Sequence, residues 1–315
     1  MRSRVGSCFS SARGFSVTLP DIIRLFPTDL SCRELLERLR WPDGPICLRC
    51  GDTVSPLGTK LYHCAACRYQ FAVTTGTIFA DTHLALEKWF LAVLLLCEAR
   101  KGMSAKQLQR TLGTGYKTAW YLSHRIRAAM ATAARPPLTG TVEMDETYIG
   151  GRERSDKPGR PKNSRKEIVI GIRQRGGDLR FFRAEDVKSG TIEQYVRENI
   201  STEVVVIVTD DSAIYPKALN ANPLLGDYRG KHRTINHSSG TYVDGFIHTN
   251  TVENSFSLLK RDIIGSWHKV SAKHLVRYLA EMEFRFNRRH SSDLFVDTLR
   301  HMVTADPLSF ADLVK

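Results

Sequence analysis

Three acidic residues lie at points in the sequence where predicted strands end or a predicted helix begins. Asp145 lies near the end of the alternating stretch TVEMDETY, and Asp210 follows the β-branched run at 204–208. Glu253 belongs to HTNTVENSFSLLKR at 248–261, whose apolar residues recur with helical spacing. Neighbouring carboxylates stay ionised together only when cations neutralise them, and their oxygen atoms favour Mg2+ or Mn2+. If the fold brings the three acids together, they could hold two such ions for phosphodiester chemistry.

Lys260 follows Glu253 by seven residues, which places both side chains on one face of a helix. The helical rise separates them by about 10 Å along the axis. On its own this pair is typical of many surface helices and requires no chemical role. Its interpretation therefore depends on the rest of the chain.

Four of the seven cysteines form two Cys-x2-Cys pairs, Cys47/Cys50 and Cys64/Cys67, separated by 13 residues. This spacing is typical of a structural zinc site, in which four thiolates bind one Zn2+ at about 2.3 Å. Two disulfides would need an oxidising compartment, and we recognise no export signal in the sequence. We therefore predict a zinc ribbon, whose small core depends on the metal for stability.

A helical region follows the ribbon, and its second half has the layout of a helix-turn-helix. Apolar residues at 86–97 recur at intervals of three and four, and Ser104 occupies an N-cap position. A glycine turn at 113–115 then separates a short helix from a basic one at 116–130. The second helix of such a pair can enter a DNA major groove, and its candidate contacts are Lys117, Arg125 and Arg127. Plain helical bundles also contain glycine turns, so this layout alone does not establish DNA binding.

From residue 140 the pattern favours strands. Three strands are predicted first, at 141–148, 168–173 and 179–183. A helix at 191–199 follows, and the uninterrupted apolar run at 204–208 predicts a strand buried on both faces. Three strands in a meander, a helix and a central strand are the order of an RNase H-like sheet. In that order Asp145 and Asp210 lie on neighbouring strands.

The composition is that of an ordinary soluble protein, but the charge is not. The 315 residues are 42% hydrophobic and 25% charged, which is sufficient for a sizeable core and more than one domain. Lys and Arg number 46 against 33 Asp and Glu, a net charge of +13. This surplus favours a polyanionic partner, either nucleic acid or an anionic membrane surface. No apolar run approaches the roughly 18–20 residues that span a bilayer, so we expect a soluble protein.

In combination, these motifs resemble those of bacterial insertion-sequence transposases of the DDE superfamily, in particular the group with an N-terminal zinc ribbon. The resemblance covers about residues 26–289. It rests on the cysteine pairs, RWPDG at 40–44, VEMDETYIGG at 142–151, VTDD at 208–211 and HTNTVENSFSLLKR. It implies an RNase H-like domain that cleaves transposon ends and transfers their 3′-hydroxyl strands to target DNA by two-metal phosphoryl transfer. It also implies a cytoplasmic, nucleoid-associated protein.

The resemblance gives particular residues a role. Asp145, Asp210 and Glu253 match the acids that bind two Mg2+ or Mn2+ ions, whereas Zn2+ is structural. Lys260, which we count with the three acids among the catalytic residues, matches the basic residue seven positions after the third acid that contacts DNA phosphate or terminal bases. Arg261 is a further candidate for DNA contact. The basic loop at 152–166 could hold backbone phosphates. Joining two transposon ends implies a homodimer or a larger assembly on double-stranded DNA.

Some alternatives stay open at this point. Members of this group have either Glu or Asn at the third acidic position, and here Asn250 and Asn254 flank Glu253. We predict Glu253 because it alone combines a charge with the seven-residue step to Lys260. An RNase H-like nuclease without strand transfer would share the acids. An inactive zinc-ribbon and helix-turn-helix DNA-binding protein would not need them.

The expected fold is α/β: an RNase H-like mixed sheet flanked by helices, preceded by a zinc ribbon and a helix-turn-helix-like region. Within the ribbon region we predict a helix between Asp21 and Trp41 with Ser31 as an N-cap. The predicted domains are a disordered or processed start at 1–20, a helix plus zinc ribbon at 21–80, a helical DNA-binding region at 81–135, a DDE catalytic domain at 138–290 and a helical tail at 291–315.

Overall fold

The computed structural model describes residues 17–131, 135–150, 166–220, 223–236 and 245–315. These residues divide into two compact units. The first unit contains residues 17–131 and 288–315, and the second contains residues 135–287. The predicted start at 1–20 and basic loop at 152–166 lie almost entirely outside the described residues. None of the described helices has the length and apolar character needed to cross a membrane.

The first unit begins with two helices where the pattern predicted one. Helix α1 spans Leu19–Leu25 and α2 spans Asp29–Arg40. Pro27 lies between them, and a proline disfavours helical backbone in the residue that precedes it. Thr28 is the N-cap of α2, because its hydroxyl accepts a hydrogen bond from the Ser31 backbone N–H at 3.3 Å. The predicted helical conformation between Asp21 and Trp41 is therefore confirmed in two segments, whereas the prediction of Ser31 as the N-cap is wrong.

Three very short antiparallel strands follow: β1 at Ser55–Leu57, β2 at Leu61–His63 and β3 at Gln70–Phe71. Their apolar contacts are few and aromatic. The Tyr62 ring stacks on Phe71 with centroids 5.9 Å apart, and Trp41 packs edge-on against both. Strands of two or three residues around one aromatic cluster bury too little surface to be stable alone.

The next three helices match the predicted pattern. Helix α3 spans Leu86–Glu98, α4 spans Ala105–Leu112 and α5 spans Tyr116–Met130. The Ser104 hydroxyl accepts a hydrogen bond from the Gln107 N–H at 3.1 Å, as an N-cap should. Gly113 ends α4 with a left-handed backbone (φ 59°). The helix-turn-helix layout is therefore present, with α5 as its second helix.

The second unit is built on a five-stranded sheet with the order β6-β5-β4-β7-β8. Antiparallel pairs join β4 to β5 and β5 to β6, whereas β7 is parallel to β4 and β8 is parallel to β7. When β4–β8 are numbered 1 to 5 in chain order, this mixed sheet has the RNase H-like order 3-2-1-4-5. The predicted fold class is therefore confirmed. The pattern did not predict the short edge strand β8. The strands span Leu138–Ile149 (β4), Glu167–Gln174 (β5), Leu179–Ala184 (β6), Ile200–Asp210 (β7) and His232–Ile235 (β8).

Helices cover both faces of this sheet. Helices α6 (Ser189–Asn199) and α7 (Ile214–Leu219) share a core with one face of β4, which includes Met144. Helices α8 (Asn250–Asp262) and α9 (Leu275–Asn287) share the other core with Val169 and Phe181. Side chains alternate along a strand, so Glu143 and Asp145 of β4 face α8 while Met144 and Glu146 face α7.

The last two helices, α10 (Leu294–Thr304) and α11 (Phe310–Val314), belong to the first unit. Phe295 of α10 packs edge-on against Phe90 of α3, with ring centroids 5.7 Å apart. The Tyr121 hydroxyl of α5 donates a hydrogen bond to the Leu308 carbonyl. Residues 288–315 therefore contribute to the same core as the helices that follow the ribbon.

Candidate active site

Asp145 and Asp210 lie at the same level of two neighbouring parallel strands. The pairing of β4 with β7 places Glu143 beside Val208. Asp145 and Asp210 each follow two residues later along strands that run in the same direction. Backbone N–H groups hold both carboxylates: Glu146 donates to Asp145 Oδ1 at 2.8 Å, and Ser212 donates to Asp210 Oδ1 at 3.1 Å. The sheet register therefore makes these two acids neighbours.

Helix α8 approaches the same level of the sheet because β5 has a glycine there. Asp145 is paired with Gly171 in the β4–β5 register. A Cβ atom at Gly171 would lie 2.7 Å from the Phe256 ring and 3.0 Å from Val252 Cγ2. The missing side chain lets these two α8 residues rest directly on the strand. Glu253 follows Val252 in the first turn of α8, and its charge acts on Asp145.

A hydrogen bond orients the Glu253 carboxylate. The Thr249 hydroxyl donates to Glu253 Oε1 at 2.6 Å. Glu253 is half-buried, whereas Asn250 and Asn254 are exposed. The surroundings of the three side chains therefore favour Glu253 over either asparagine as the third acidic ligand.

The acids influence one another electrostatically. Burial raises the pKa of Asp145 to about 7; the Glu146 N–H opposes this rise, and the charges of Glu146, Asp210 and Glu253 add to it. A carboxyl group with this pKa is one that repulsion and burial would leave partly protonated near neutrality. A divalent cation among these oxygen atoms would reverse that preference, so the donor set fits Mg2+ or Mn2+.

The three carboxylates are farther apart than the ligands of a single bound ion would be. Among the described residues, only the cysteine cluster brings three or more potential ligand atoms all within 4.8 Å of one another. The three acids are therefore electrostatic neighbours but are not gathered as tightly as the ligands of one small ion.

Glu146 is a fourth acid near the site that the motif analysis did not assign. Its Oε2 accepts a hydrogen bond from the Tyr215 hydroxyl of α7 at 2.5 Å. Burial raises the pKa of Glu146, the Tyr215 hydrogen bond lowers it, and the charge of Asp210 raises it further. The alternation of β4 could have shown that Glu146 faces away from α8, but not that Tyr215 would meet it.

Glu143 is a second residue that the motif analysis left without a role. Its side chain is fully buried, and it bonds to the first turn of α8. Its position two residues before Asp145 shows that both side chains share one face of β4. That spacing was available in the sequence, but the partners were not.

The four cysteines form a cluster that fits a zinc ion. Their Sγ atoms all lie within 4.8 Å of one another, and all four thiols are free of disulfides. The Cys47–Cys67 and Cys50–Cys64 pairs are each 3.5 Å apart. Ligands at about 2.3 Å around a tetrahedral ion are about 3.8 Å from one another. The cluster therefore needs little rearrangement to bind Zn2+ through four sulfur atoms.

Local backbone geometry shapes the cysteine cluster. Left-handed residues follow each pair, Gly51 with φ 77° and Arg68 with φ 54°, and turn the chain back over the sulfur atoms. Burial raises the pKa of the Cys47 thiol, but hydrogen bonds from the Cys50 and Arg49 N–H groups outweigh it and lower that pKa to about 6. This thiol ionises readily, as a zinc ligand must.

The predicted DNA-binding residues divide into exposed and buried ones. Lys117 is exposed at the start of α5, and Lys260 and Arg261 are exposed near the end of α8. Arg125 and Arg127 are only 3% and 1% exposed. These two side chains therefore do not lie on a surface that DNA could reach.

Both buried guanidinium groups have structural contacts. Arg125 lies over the Trp89 ring at 4.9 Å and donates to the Ala80 carbonyl at 2.5 Å. Arg127 donates to the Ser123 hydroxyl at 3.2 Å. The prediction that Arg125 and Arg127 contact DNA is wrong, because residues 122–127 of α5 are all buried and the helix is therefore covered on every side at this level.

An RNase H-like sheet with acids gathered on its two central strands, preceded by a four-cysteine ribbon, has the organisation of a DDE transposase. Comparison with family models agrees with this class. Residues 137–287 match the ISXO2-like transposase domain, and residues 27–70 match the transposase zinc-ribbon domain.

A relative covers most of the chain. It is a Halobacterium salinarum protein described as an uncharacterized protein in transposable element ISH50, 31% identical over 284 residues. The similarity covers 84% of this chain and 92% of the relative. The chain therefore belongs to the ISXO2-like family of insertion-sequence transposases with a zinc ribbon. The resemblance inferred from the sequence motifs is confirmed.

Solved structures of lower similarity include two Mos1 complexes. The Mos1 strand transfer complex has a TM-score of 0.30 at 9% identity, over 68% of this chain and 74% of that one. The Mos1 paired-end complex with Mn has a TM-score of 0.27 at 9% identity, over 68% and 75%. Scores of this size do not establish a common fold, so the fold assignment rests on the strand order of the chain itself.

Proposed function

We propose that the protein cleaves DNA at transposon ends and transfers the 3′-hydroxyl strands to target DNA, with Asp145, Asp210 and Glu253 as its catalytic acids. The observation that carries this proposal is the shared electrostatic environment of the three acids on an RNase H-like sheet. The strand register supplies two of them and the first turn of α8 supplies the third.

In this proposal the three acids hold two Mg2+ or Mn2+ ions, and the cysteine cluster holds a structural Zn2+. When bound, the divalent ions activate a water molecule or 3′-hydroxyl and stabilise the leaving oxygen of a phosphodiester. The protein contributes the carboxylates and their orientation through Thr249, Ser212 and the Glu146 N–H.

The DNA partner is proposed from charge and exposure. A net charge of +13 favours binding to a phosphate backbone. Lys260 and Arg261 are exposed on the helix that carries Glu253, and Lys117 is exposed where α5 begins. We assign these three residues to contacts with double-stranded DNA. Because two ends must be joined, the working form is a homodimer or a larger assembly, acting on DNA of the cytoplasmic nucleoid.

The domain roles follow the same proposal. Residues 21–80 form the ribbon region, 81–135 bind DNA through the helix-turn-helix, and 138–290 carry out catalysis. In the structure, residues 288–315 join the first unit and so contribute to the stability of the helical region. The assigned limits of these domains remain predictions.

A strand-transfer assay tests the proposal. The substrate is a labelled duplex that carries the inverted repeat flanking the coding region, incubated with target DNA and Mn2+. The wild-type protein should nick the end and join it to the target, and Asp145→Asn should abolish both products. Asp211→Asn is the matched control, because Asp211 adjoins Asp210 but is exposed and accepts a hydrogen bond from Asn236.

The same assay separates the alternatives. Nicking without joining, again lost in Asp145→Asn, would favour an RNase H-like nuclease. Binding to the ends without nicking or joining, in both wild-type protein and variant, would favour an inactive DNA-binding protein. Either outcome contradicts the proposed transposase activity.

A further inference from the structure

Glu143 is a fully buried carboxylate at the centre of the second unit. It lies on β4, two residues before Asp145, and has 0% exposure. Transfer of a charged carboxylate from water to such a position is unfavourable unless every lone pair finds a donor. The contacts of Glu143 therefore show which part of the fold this buried carboxylate stabilises.

One carboxylate oxygen of Glu143 bonds to the start of α8. Its Oε2 accepts hydrogen bonds from the Thr251 N–H at 2.8 Å and the Val252 N–H at 2.9 Å. These are the second and third residues of the helix, whose N–H groups have no partners within the helix itself. A residue of the sheet therefore does the work of a helix N-cap, with a negative charge at the positive end of the helix dipole.

The local N-cap residue, Thr249, has a different task. Its side chain makes no cap hydrogen bond, and its hydroxyl donates instead to Glu253 Oε1 at 2.6 Å. Glu143 thus leaves Thr249 available to orient the third acid. Glu143 therefore caps the helix, and the N-cap residue Thr249 orients Glu253.

The other carboxylate oxygen of Glu143 fixes the segment that leads into α8. Its Oε1 accepts a hydrogen bond from Arg175 Nε at 2.6 Å and lies 3.2 Å from His248 Nδ1. Arg175 also donates to the carbonyl groups of Phe246 at 2.6 Å and His248 at 2.8 Å. The Glu143–Arg175 ion pair thereby attaches residues 246–252 to β4 and to the end of β5, and Arg173 of β5 adds a hydrogen bond to the Thr251 carbonyl.

We propose that Glu143 is a positioning residue that sets α8 on the sheet so that Glu253 faces Asp145. This inference rests on the proposed function, in which Glu253 is a metal ligand. Glu143 does not touch the reacting groups; it acts through the first turn of α8. Loss of its charge releases that turn and disperses the three acids.

The test compares Glu143→Gln with Glu283→Gln in the zinc-loaded full-length protein. Glu283 is a matched control in the same unit: it is buried, accepts a hydrogen bond from the Phe181 N–H at 3.1 Å and pairs with Arg135 at 2.9 Å. These contacts are with β6 and with the residue Arg135 before β4, and not with α8. Both variants lose one buried charge, so a general loss of stability should affect them similarly.

Two measurements distinguish positioning from stability. Amide hydrogen exchange at Thr251 and Val252 should become at least about tenfold faster in Glu143→Gln and stay unchanged in Glu283→Gln. Mn2+ affinity, measured by the electron paramagnetic resonance signal of free Mn2+, should fall by about 10–100-fold in Glu143→Gln only, the usual effect of removing a residue that orients metal ligands. Arg175→Gln, which keeps the Glu143 carboxylate, should give a smaller shift in the same direction and serves if Glu143→Gln does not fold.

Unchanged exchange at α8 and unchanged Mn2+ affinity in both Glu143→Gln and Arg175→Gln would overturn the proposal. Equal losses in Glu143→Gln and Glu283→Gln would also overturn it, because the effect would then be general. Failure of the proposed function would give a different result: Mn2+ binding would be the same in the wild-type protein and in Asp145→Asn, because the three acids would not be the Mn2+ site. In that case α8 exchange still decides whether Glu143 holds the helix.

Discussion

The cysteine cluster and the acidic cluster are two potential metal sites that depend on the chain in opposite ways. The Cys50–Cys64 and Cys47–Cys67 contacts join residues that are only 14 and 20 positions apart in sequence, and short turns bring these residues together. The acids come from two strands and a helix, and the helix is held by a strand residue 108 and 109 residues earlier. The first site can form wherever its short segment is intact, whereas the second exists only when the whole sheet is folded.

The two clusters also differ in what stabilises them. The ribbon has strands of two or three residues and one aromatic cluster, so the metal must supply much of its stability. The acids lie between two apolar cores, each with ten or more buried side chains. Metal removal should therefore unfold one site and leave the scaffold of the other intact.

Chelation of zinc should produce the largest effect. Structural Zn2+ contributes an apparent 10–16 kcal/mol, roughly, in small zinc domains, far more than β1–β3 can recover by packing. We expect residues 47–71 to lose protection from hydrogen exchange while β4–β7 keep theirs. Cys64→Ser should reproduce the loss at any zinc concentration, and Cys97→Ser, outside the cluster, should not. Protected ribbon amides in zinc-free protein would contradict this prediction.

Replacement of the third acid should have the next largest effect. Glu253→Gln keeps the Thr249 contact but removes the charge, and we expect DNA nicking to fall by about 10³-fold, equivalent to roughly 4 kcal/mol in the barrier. Asn250→Ala and Asn254→Ala remove exposed amides and should stay within about threefold of wild type. Nicking rates with labelled end DNA and Mn2+ measure all three. A larger loss in an asparagine variant would reassign the ligand.

Substitution of Gly171 should affect the acidic site through packing. In Gly171→Ala the new methyl group would meet the Phe256 ring at 2.7 Å, an overpacking that costs about 1–3 kcal/mol. Urea unfolding of the second unit should show this loss, together with weaker Mn2+ binding as α8 moves outward. Gly190→Ala is the control, because a Cβ atom there has nothing within 4 Å. Equal stability of the two variants would show that α8 does not rest on β5 as described.

Neutralisation of Lys260 should have the smallest effect. The side chain is exposed, so Lys260→Gln should leave stability unchanged and remove one phosphate contact. The slope of log affinity against log salt concentration should decrease by about 1. Lys188→Gln is the control, since its side chain is 78% exposed and already paired with Asp186. An unchanged salt slope in Lys260→Gln would remove this residue from the DNA interface.

Much of the fold could be predicted from the sequence because it depends on local patterns. The cysteine spacing, the amphipathic α3 and the apolar run of β7 each contain their own signal within a few residues. The predicted burial of that run on both faces is wrong at Val205, which is 70% exposed. The four-residue strand β8 does not, since its pairing with β7 supplies its conformation. The N-cap predicted at Ser31 failed because the break at Pro27 lets α2 begin earlier, with Thr28 as its N-cap.

The site was less predictable because its contacts are long-range. Residue type suggested that Arg125 and Arg127 were exposed, yet α5 is buried on every side over residues 122–127. The role of Glu143 depends on partners more than a hundred residues away, which no spacing rule identifies. Whether Asp145, Asp210 and Glu253 perform catalysis stays a prediction, which the strand-transfer assay can test.

The inclusion of α10 and α11 in the first unit affects the order in which the protein can fold during synthesis. A ribosome makes residues 1–287 before the helices that complete the first unit. Until then Phe90 lacks Phe295, and the helical region after the ribbon has an open core. The RNase H-like sheet can finish folding first, although it comes later in the chain than the ribbon. A chain that ended before residue 288 would therefore lack part of the core against which the helix-turn-helix region packs.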